Sequence, residues 1–140
     1  MASISPVQVT IAPEGSDLVV TFDLRNLGSD LDPEELEALT QRLFQQMKEI
    51  DEVQKVIRVP QVTPPQGSKP LDAAFIIGLL QAEVNLANIR ALLGFIWERL
   101  SGKPIELRVE AEGKKLEVKA YSQQELSAAI EAAKEFLAVS

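Results

Sequence analysis

The stretch LDAAFIIGLLQAEVNLANIRALLGFIWERL, residues 71–100, decides the fold of this 140-residue chain. Twenty of its thirty residues are apolar and none is proline, so we predict one long apolar helix that stops at the glycine and proline of 101–104. A straight helix of that length spans about 45 Å, whereas a compact domain of this size is roughly 37 Å across. We therefore expect the helix to extend beyond its own domain unless it bends.

Two polar stripes divide this predicted helix into two apolar sectors on a helical wheel. The stripes consist of Asp72, Glu83 and Arg90 on one line, and of Gln81, Asn85, Asn88 and Arg99 on nearly the opposite line. A surface helix has one apolar sector, so two sectors predict burial on two sides. The chain's own sheet can cover one side, and something else must cover the other.

Three explanations compete for the second sector. A transmembrane span is disfavoured because Glu83 and Arg90 lie inside the segment and the longest uncharged run is too short to cross a bilayer. Alternatively, the chain breaks near Asn85–Asn88 into a helical hairpin, or the shorter helices cover both sides. The third explanation is a surface for self-association or for a partner. We predict a symmetric dimer through helix 71–100.

The flanking sequence predicts strands and two shorter helices. Alternating apolar residues indicate strands at 7–12, 18–24, 54–59, 105–111 and 116–120, and helical spacing indicates helices at 33–51, with Asp32 as its cap, and 123–138. The proline-rich stretch 60–70 is predicted to be a stiff connector. The fold class is thus α+β, in the order ββαβαββα: a mostly antiparallel sheet packed on a long apolar helix with two shorter helices.

The length of the chain predicts a single domain covering residues 1–140. Within it, a ββα pseudo-repeat is possible at 7–51 and 105–138, because 7–22 and 105–120 align without a gap and share an acidic-glycine turn. Two short hairpins can match this well by chance, so the repeat and coincidence both stay open.

Composition excludes several classes of function. The chain contains neither cysteine nor histidine, which removes thiolate metal sites, cysteine nucleophiles and the side chain most used for proton transfer near pH 7. The net charge of −7 and the lack of a basic patch make nucleic acid an improbable partner. We therefore expect a non-enzymatic protein without a cofactor or metal. The start MASISPVQVT does not resemble a signal peptide, and we expect a cytoplasmic location.

Five side chains of the 71–100 stretch are candidate interaction or pocket residues. They are Gln81, Asn85, Asn88, Arg90 and Trp97. The first three could line an otherwise apolar cavity beside the sheet, which would suit a small-molecule binding domain. A hydrolytic enzyme would instead need a cleft with paired carboxylates, and a half-buried Glu83 more commonly pairs with a cation such as Arg90.

The order of features resembles the effector-associated constant component family. The resemblance rests on the helix LTQRLFQQMKEIDEV, the connector PQVTPPQGSKP, the helix end LLGFIWERL and the hairpin IELRVEAEGKKLEV, with Trp97 at the place of a tryptophan late in the family's helix. The family accompanies trypsin-like peptidases and caspase-like proteins in predicted bacterial conflict systems. The resemblance implies a non-enzymatic component that couples or scaffolds an effector protein, and it carries over no catalytic residue.

Overall fold

The computed structural model describes residues 6–29, 31–60, 75–100 and 103–139, which form six strands and three α-helices. The elements in chain order are β1 (Val7–Glu14), β2 (Asp17–Asp23), α1 (Pro33–Met47), β3 (Val53–Pro60), β4 (Phe75–Val84), α2 (Ile89–Arg99), β5 (Ile105–Ala111), β6 (Lys114–Ala120) and α3 (Gln123–Val139). Short 3-10 helices at Arg25–Ser29 and Leu86–Asn88 precede α1 and α2.

The strands form one sheet in the order β3-β4-β2-β1-β5-β6. Four neighbouring pairs are antiparallel, and the β1–β5 pair, inside the sheet, is parallel. The prediction of an α+β fold is therefore confirmed, and the predicted mostly antiparallel sheet is confirmed in part, because the sheet is mixed. The connector predicted at 60–70 lies outside the described residues except for Pro60.

The prediction of one long helix at 71–100 is wrong for the first half of that segment. Phe75–Val84 is strand β4, which lies between β3 and β2, and only Ile89–Arg99 is α-helical. Residues 71–74 lie outside the described part of the chain. The element order is consequently ββαββαββα, with one strand more than the sequence predicts and a helix that is eleven residues long.

Alternation explains why this apolar run is a strand. From Leu80 to Val84 apolar and polar residues alternate, and the structure buries Leu80, Ala82 and Val84 while Gln81 and Glu83 point to the opposite face. The break predicted near Asn85–Asn88 is present, but its first arm is a strand and not a helix. Strand β4 lies between β3 and β2 and buries one face, while α2 buries Ile89, Leu92, Leu93 and Ile96 in the same core.

The core lies between one face of the sheet and the helices. Alternate residues of β1, β2 and β5 are fully buried on that face, whereas their neighbours along each strand stay half-exposed on the other. Helix α1 packs on β4 and β3, and α3 packs on β6 and β5 beside α2. Within the described residues the second face carries no helix, so the fold has two layers and one open sheet face.

Helix α1 begins where the sequence predicts. The Asp32 carboxylate accepts a hydrogen bond from the Glu35 N–H at 2.8 Å, and the Glu35 carboxylate accepts one from the Asp32 N–H at 3.2 Å. This reciprocal capping box, with Pro33 at the first helical position, fixes the start of the helix. The helix ends at Met47 rather than at 51.

The possible repeat at 7–51 and 105–138 remains a prediction. Every α-helix of the described chain does follow two strands. The two aligned hairpins nevertheless turn differently, because Gly15 alone has a positive φ in the first, whereas both Glu112 and Gly113 do in the second.

We predict that Gly78→Ala destabilises the protein while Gly94→Ala does not. Gly78 has φ +88°, and an added Cβ would lie 3.0 Å from Arg25 Cγ and 3.3 Å from the Arg25 amide nitrogen. We expect a loss of about 1–3 kcal/mol in the free energy of unfolding. At Gly94 nothing lies within 4 Å of the new Cβ, so the helix should gain about 0.5–1 kcal/mol. Urea unfolding measures both, and equal effects would contradict the strand geometry at Gly78.

Candidate functional site

The candidate residues predicted from the sequence do not converge on one site. Gln81 lies on β4 at the open sheet face, where its side-chain amide donates a hydrogen bond to Thr21 Oγ1 at 3.3 Å. Asn85 instead caps the 3-10 helix after β4, since its side-chain oxygen accepts from the Asn88 N–H at 3.1 Å. The cavity predicted from Gln81, Asn85 and Asn88 is therefore not formed by these three residues together.

Arg90 and Trp97 lie on the α2 side of the molecule. Arg90 joins α2 to α3 through an exposed ion pair of 2.8 Å with Glu131 and a hydrogen bond of 3.2 Å to Ser127 Oγ. Trp97 is half-buried against the core. Packing between elements explains the positions of both residues. The polar stripe predicted from the helical wheel does not exist, because Glu83 lies in a strand.

The open sheet face holds a small polar recess. Glu14, Val19, Lys55, Gln81 and Glu83 border a cavity of about 160 Å³. Pockets for drug-sized ligands usually measure about 300–1,000 Å³, so this recess is small for such a ligand. Its charged groups come from three different strands and face the solvent.

A larger apolar groove runs along α1 on the helical side of the sheet. Two open surface depressions of about 530 and 460 Å³ share Gln41 as a bordering residue. We define the α1 groove by the residues that border these cavities, namely Pro33, Glu34, Glu37, Ala38, Gln41, Phe44, Val56, Ile57, Arg58, Pro60, Phe75 and Ile77. Phe75 and Ile77 are 49% and 39% exposed, which is unusual for large apolar side chains in a chain that buries most of the others.

A bulge in β4 turns these two side chains towards α1. Ile77 borders the cavity beside α1, and a Cβ on the next residue, Gly78, would also lie near α1, 3.5 Å from Leu36 Cδ2. Successive residues of a regular strand point to opposite faces, so the alternation is broken here. The pairing with β3 is irregular at the same place. Phe75 lies five positions before Leu80, whereas their partners on β3, Pro60 and Arg58, lie only two positions apart.

A nearly buried arginine connects the floor of the α1 groove to its wall. The Arg58 side chain is 4% exposed, and its guanidinium donates hydrogen bonds to both Glu37 carboxylate oxygens, at 2.6 and 2.9 Å, and to Gln41 Oε1 at 2.9 Å. The guanidinium carbon also lies 5.4 Å from the centre of the Phe75 ring. Strand β3, helix α1 and the start of β4 are thus held together around one cation.

This contact changes the titration of Glu37. The hydrogen bond from Arg58 lowers the pKa of the Glu37 carboxyl below its ordinary value of 4.5, and burial opposes the shift only in part. Because the folded pKa is depressed, the stabilisation is complete above pH 4.5 and is lost as the pH falls through the folded pKa.

A second perturbed pair lies beside Gly78. Burial raises the pKa of the Asp23 carboxyl, but hydrogen bonds from the Arg25 guanidinium and amide outweigh it, so that the pKa is lower than usual. The same contacts raise the pKa of Arg25. This pair fixes the chain where β2 ends, next to the bulge.

Charged groups of both signs surround the α1 groove. Glu34 is exposed and borders the groove directly, whereas the Glu37 carboxylate is paired with Arg58. The Lys48 ammonium lies 5.1 Å from the centre of the Phe44 ring. These charges therefore do not favour a partner of one sign.

Among residues 6–29, 31–60, 75–100 and 103–139, no group of three or more acidic side chains is placed to hold a metal ion. No helix in the same part of the chain has the length and apolar character to cross a bilayer.

Sequence reasoning missed the residues of the α1 groove. Phe75 and Ile77 were counted as part of a helical face, and Arg58 as an ordinary strand residue. The alternation from Leu80 to Val84 could have revealed β4, and with it a sheet edge next to α1. No local pattern marks Arg58, because its burial depends on Glu37 and Gln41 of α1, which precede it by 21 and 17 residues.

The sequence matches no protein-family model, and no curated protein matches it significantly.

We predict that Glu37→Ala destabilises the protein more than Arg58→Met does. The first change leaves a buried guanidinium with fewer acceptors, which costs about 1–3 kcal/mol. The second removes the buried charge, fills similar space and leaves Glu37 free to be solvated. Urea unfolding at pH 7 compares the variants. The difference between wild type and Glu37→Ala should shrink below pH 4.5, and a difference that grows there would contradict the role of the pair.

Proposed function

We propose that this protein is a non-enzymatic interaction module that binds a partner protein through the α1 groove. The observation that carries the proposal is the exposure of Phe75 and Ile77 beside one helix, over cavities large enough to accept several side chains. Aromatic side chains at the centre of an apolar groove are the usual anchors of protein–protein interfaces. The Arg58 contacts hold the floor and wall in place before a partner binds.

The net charge of −7 favours a different protein as the occupant over a second copy of this chain, because two copies repel each other at long range. A partner segment with apolar side chains suits the groove, and a positively charged partner is attracted at long range.

The resemblance to the effector-associated constant component family gives this partner a class. On that reading, the chain couples an effector protein, such as a trypsin-like peptidase or a caspase-like protein, to the rest of a bacterial conflict system. The dimer predicted through helix 71–100 loses part of its original reason, because the described part of that stretch is not one helix and buries Leu80, Leu92 and Ile96, among others, in the chain's own core. Self-association thus becomes the alternative occupant of the groove.

Small-molecule binding is the weaker candidate. The recess beside Gln81 is small, and Asn85 and Asn88 contribute to a helix cap. The α1 groove has the volume for a ligand but lies open along the surface between a helix and a sheet edge, which suits an elongated chain better than a compact molecule.

We predict that the double substitution Phe75→Ser and Ile77→Ser reduces partner recovery at least about tenfold, because interface anchors of this type contribute more than 1.4 kcal/mol. The tagged chain is expressed in its native host, and co-purifying proteins are quantified by mass spectrometry. Tyr121→Ser is the matched control, since Tyr121 is an even more exposed aromatic, at 62%, outside the groove.

The proposal requires that one protein is lost with the groove variant, is retained with the Tyr121 control, and binds the purified wild-type chain directly. Thermal unfolding of both variants establishes that they are folded. Equal recovery with the groove variant, or recovery of a second copy alone, would contradict the proposal.

A further inference from the structure

Strand β6 forms the edge of the sheet that lies opposite β3 and the α1 groove. Within the described residues β6 pairs only with β5, in a regular register, so its outer side has no partner strand. Residues 114–119 are exposed or half-buried, whereas Ala120 is fully buried. The stretch on which a further strand can pair is therefore 114–119.

The charges on the open face of β5 and β6 alternate in sign. Each charged residue of β5 there lies opposite a residue of the other sign on β6, in the pairs Glu106–Lys119, Arg108–Glu117 and Glu110–Lys115. Arg108 Nε lies 3.4 Å from Glu117 Oε1, and Lys119 Nζ lies 3.7 Å from Glu106 Oε2. These three pairs carry no net charge, although the whole chain carries −7, so they add no repulsion between two copies.

These charges distinguish between the registers in which β6 can pair with a second copy of itself. In an antiparallel pair with two-fold symmetry, opposite residues share a face and the axis passes through one residue. An axis at Glu117 would place Lys115 opposite Lys119 and Glu117 opposite itself, and like charges directly opposite are destabilising. An axis at Val118 would require pairing at Ala120, which is buried.

An axis at Leu116 avoids both obstacles. It places Lys115 of each copy opposite Glu117 of the other, so that symmetry provides two pairs of opposite charge. On the helical face Leu116 would contact its own counterpart, and the aliphatic stem of Lys114 would cover the half-buried Val118. All of these residues lie within the exposed stretch 114–119.

This register also extends the charge pattern that each copy already has. Across four strands the open face would carry Glu110 and Lys115 of one copy, followed by Glu117 and Arg108 of the other. The signs alternate along this row, and the symmetric row has the same order in reverse. Each ionic side chain would then have a neighbour of opposite sign on both sides wherever it lies between two strands.

We propose that a second copy of this chain pairs with β6 in antiparallel orientation, with the two-fold axis at Leu116, and joins the six-stranded sheets of both copies into one. The inference goes beyond the proposed function, because it uses the opposite edge of the sheet and leaves the α1 groove of each copy free. Lysines on an edge strand ordinarily oppose pairing, and here they do so in the register centred on Glu117.

The length of the paired stretch limits the strength of the dimer. Pairing from Lys114 to Val118 involves about five residues of each copy and buries less surface than a standard stable interface. The dimer is therefore weak and reversible, and we expect it to form at protein concentrations of about 0.1–1 mM.

A single introduced cysteine tests the register, because the chain contains no other thiol. Leu116→Cys would place two thiols directly opposite each other, with the Cα atoms about 4.5–5.5 Å apart, which suits a disulfide bond. Val118→Cys is the matched control, since its two thiols would lie four positions apart along the strands, or about 13 Å. Under mild oxidation we expect Leu116→Cys to form the linked dimer at least about tenfold faster, as measured by non-reducing electrophoresis.

Charge reversal tests the same contact without a new covalent bond. Lys115→Glu makes positions 115 and 117 both acidic, and Glu117→Lys makes both basic, so each variant alone should associate at least about tenfold more weakly. An equimolar mixture of the two should recover the dimer, because opposite charges then face each other again. Lys55→Glu and Glu98→Lys change the net charge by the same amounts at exposed positions outside β6 and are the matched controls. Sedimentation equilibrium measures association, and thermal unfolding establishes that each variant is folded.

Three outcomes would overturn the inference. A wild-type chain that stays monomeric at about 1 mM has no dimer of this kind. Equal linking of Val118→Cys and Leu116→Cys, or undiminished association of Lys115→Glu alone, would contradict the register. Association that persists in both charge variants but is lost with the double substitution Phe75→Ser and Ile77→Ser would place the second copy in the α1 groove. The first two outcomes leave the proposed function intact, whereas the third contradicts it as well.

Discussion

The insertion of β4 between β3 and β2 is the constraint on which the rest of the structure depends. Strand β4 carries Leu80, Ala82 and Val84 into the core, and it places β3 at the edge of the sheet. Helix α1, which precedes β3 in the chain, packs on both strands because they are neighbours. Without β4 in this place there would be no free edge beside α1 and no groove between them.

Local departures from regular strand geometry then convert this edge into a candidate site. The positive φ of Gly78 lets the chain bulge, and the Gly78 carbonyl is held by the Leu24 N–H at 2.7 Å. The bulge leaves Phe75 and Ile77 on the helical side, where regular alternation from Leu80 would place neither. The ion pair between Arg58 and Glu37 holds β3 and α1 together in the same region. The bulge at the start of β4 therefore also exposes apolar surface beside α1.

Much of the fold could be predicted from the sequence, because strict alternation and capping residues are local signals. The two terminal hairpins, the start of α1 at Pro33 and helix α3 were found in this way. Strand β4 was missed because an apolar run with little polar alternation in its first half has no decisive period, and the helix after it extended the pattern. The length of about 45 Å that a straight helix over 71–100 would have already indicated that this segment had to bend. The α1 groove could not be predicted, since Arg58, Glu37 and Phe75 meet only through tertiary packing.

The most direct test of this account is the pattern of nuclear Overhauser contacts from Gln81. The account predicts cross-strand contacts from this residue to both Thr21 of β2 and Ile57 of β3, together with extended backbone chemical shifts across Phe75–Val84. Helical contacts between residues three apart throughout 75–99, without the cross-strand contacts, would contradict it. In that case β3 would not be the edge described, and the α1 groove would lose its floor.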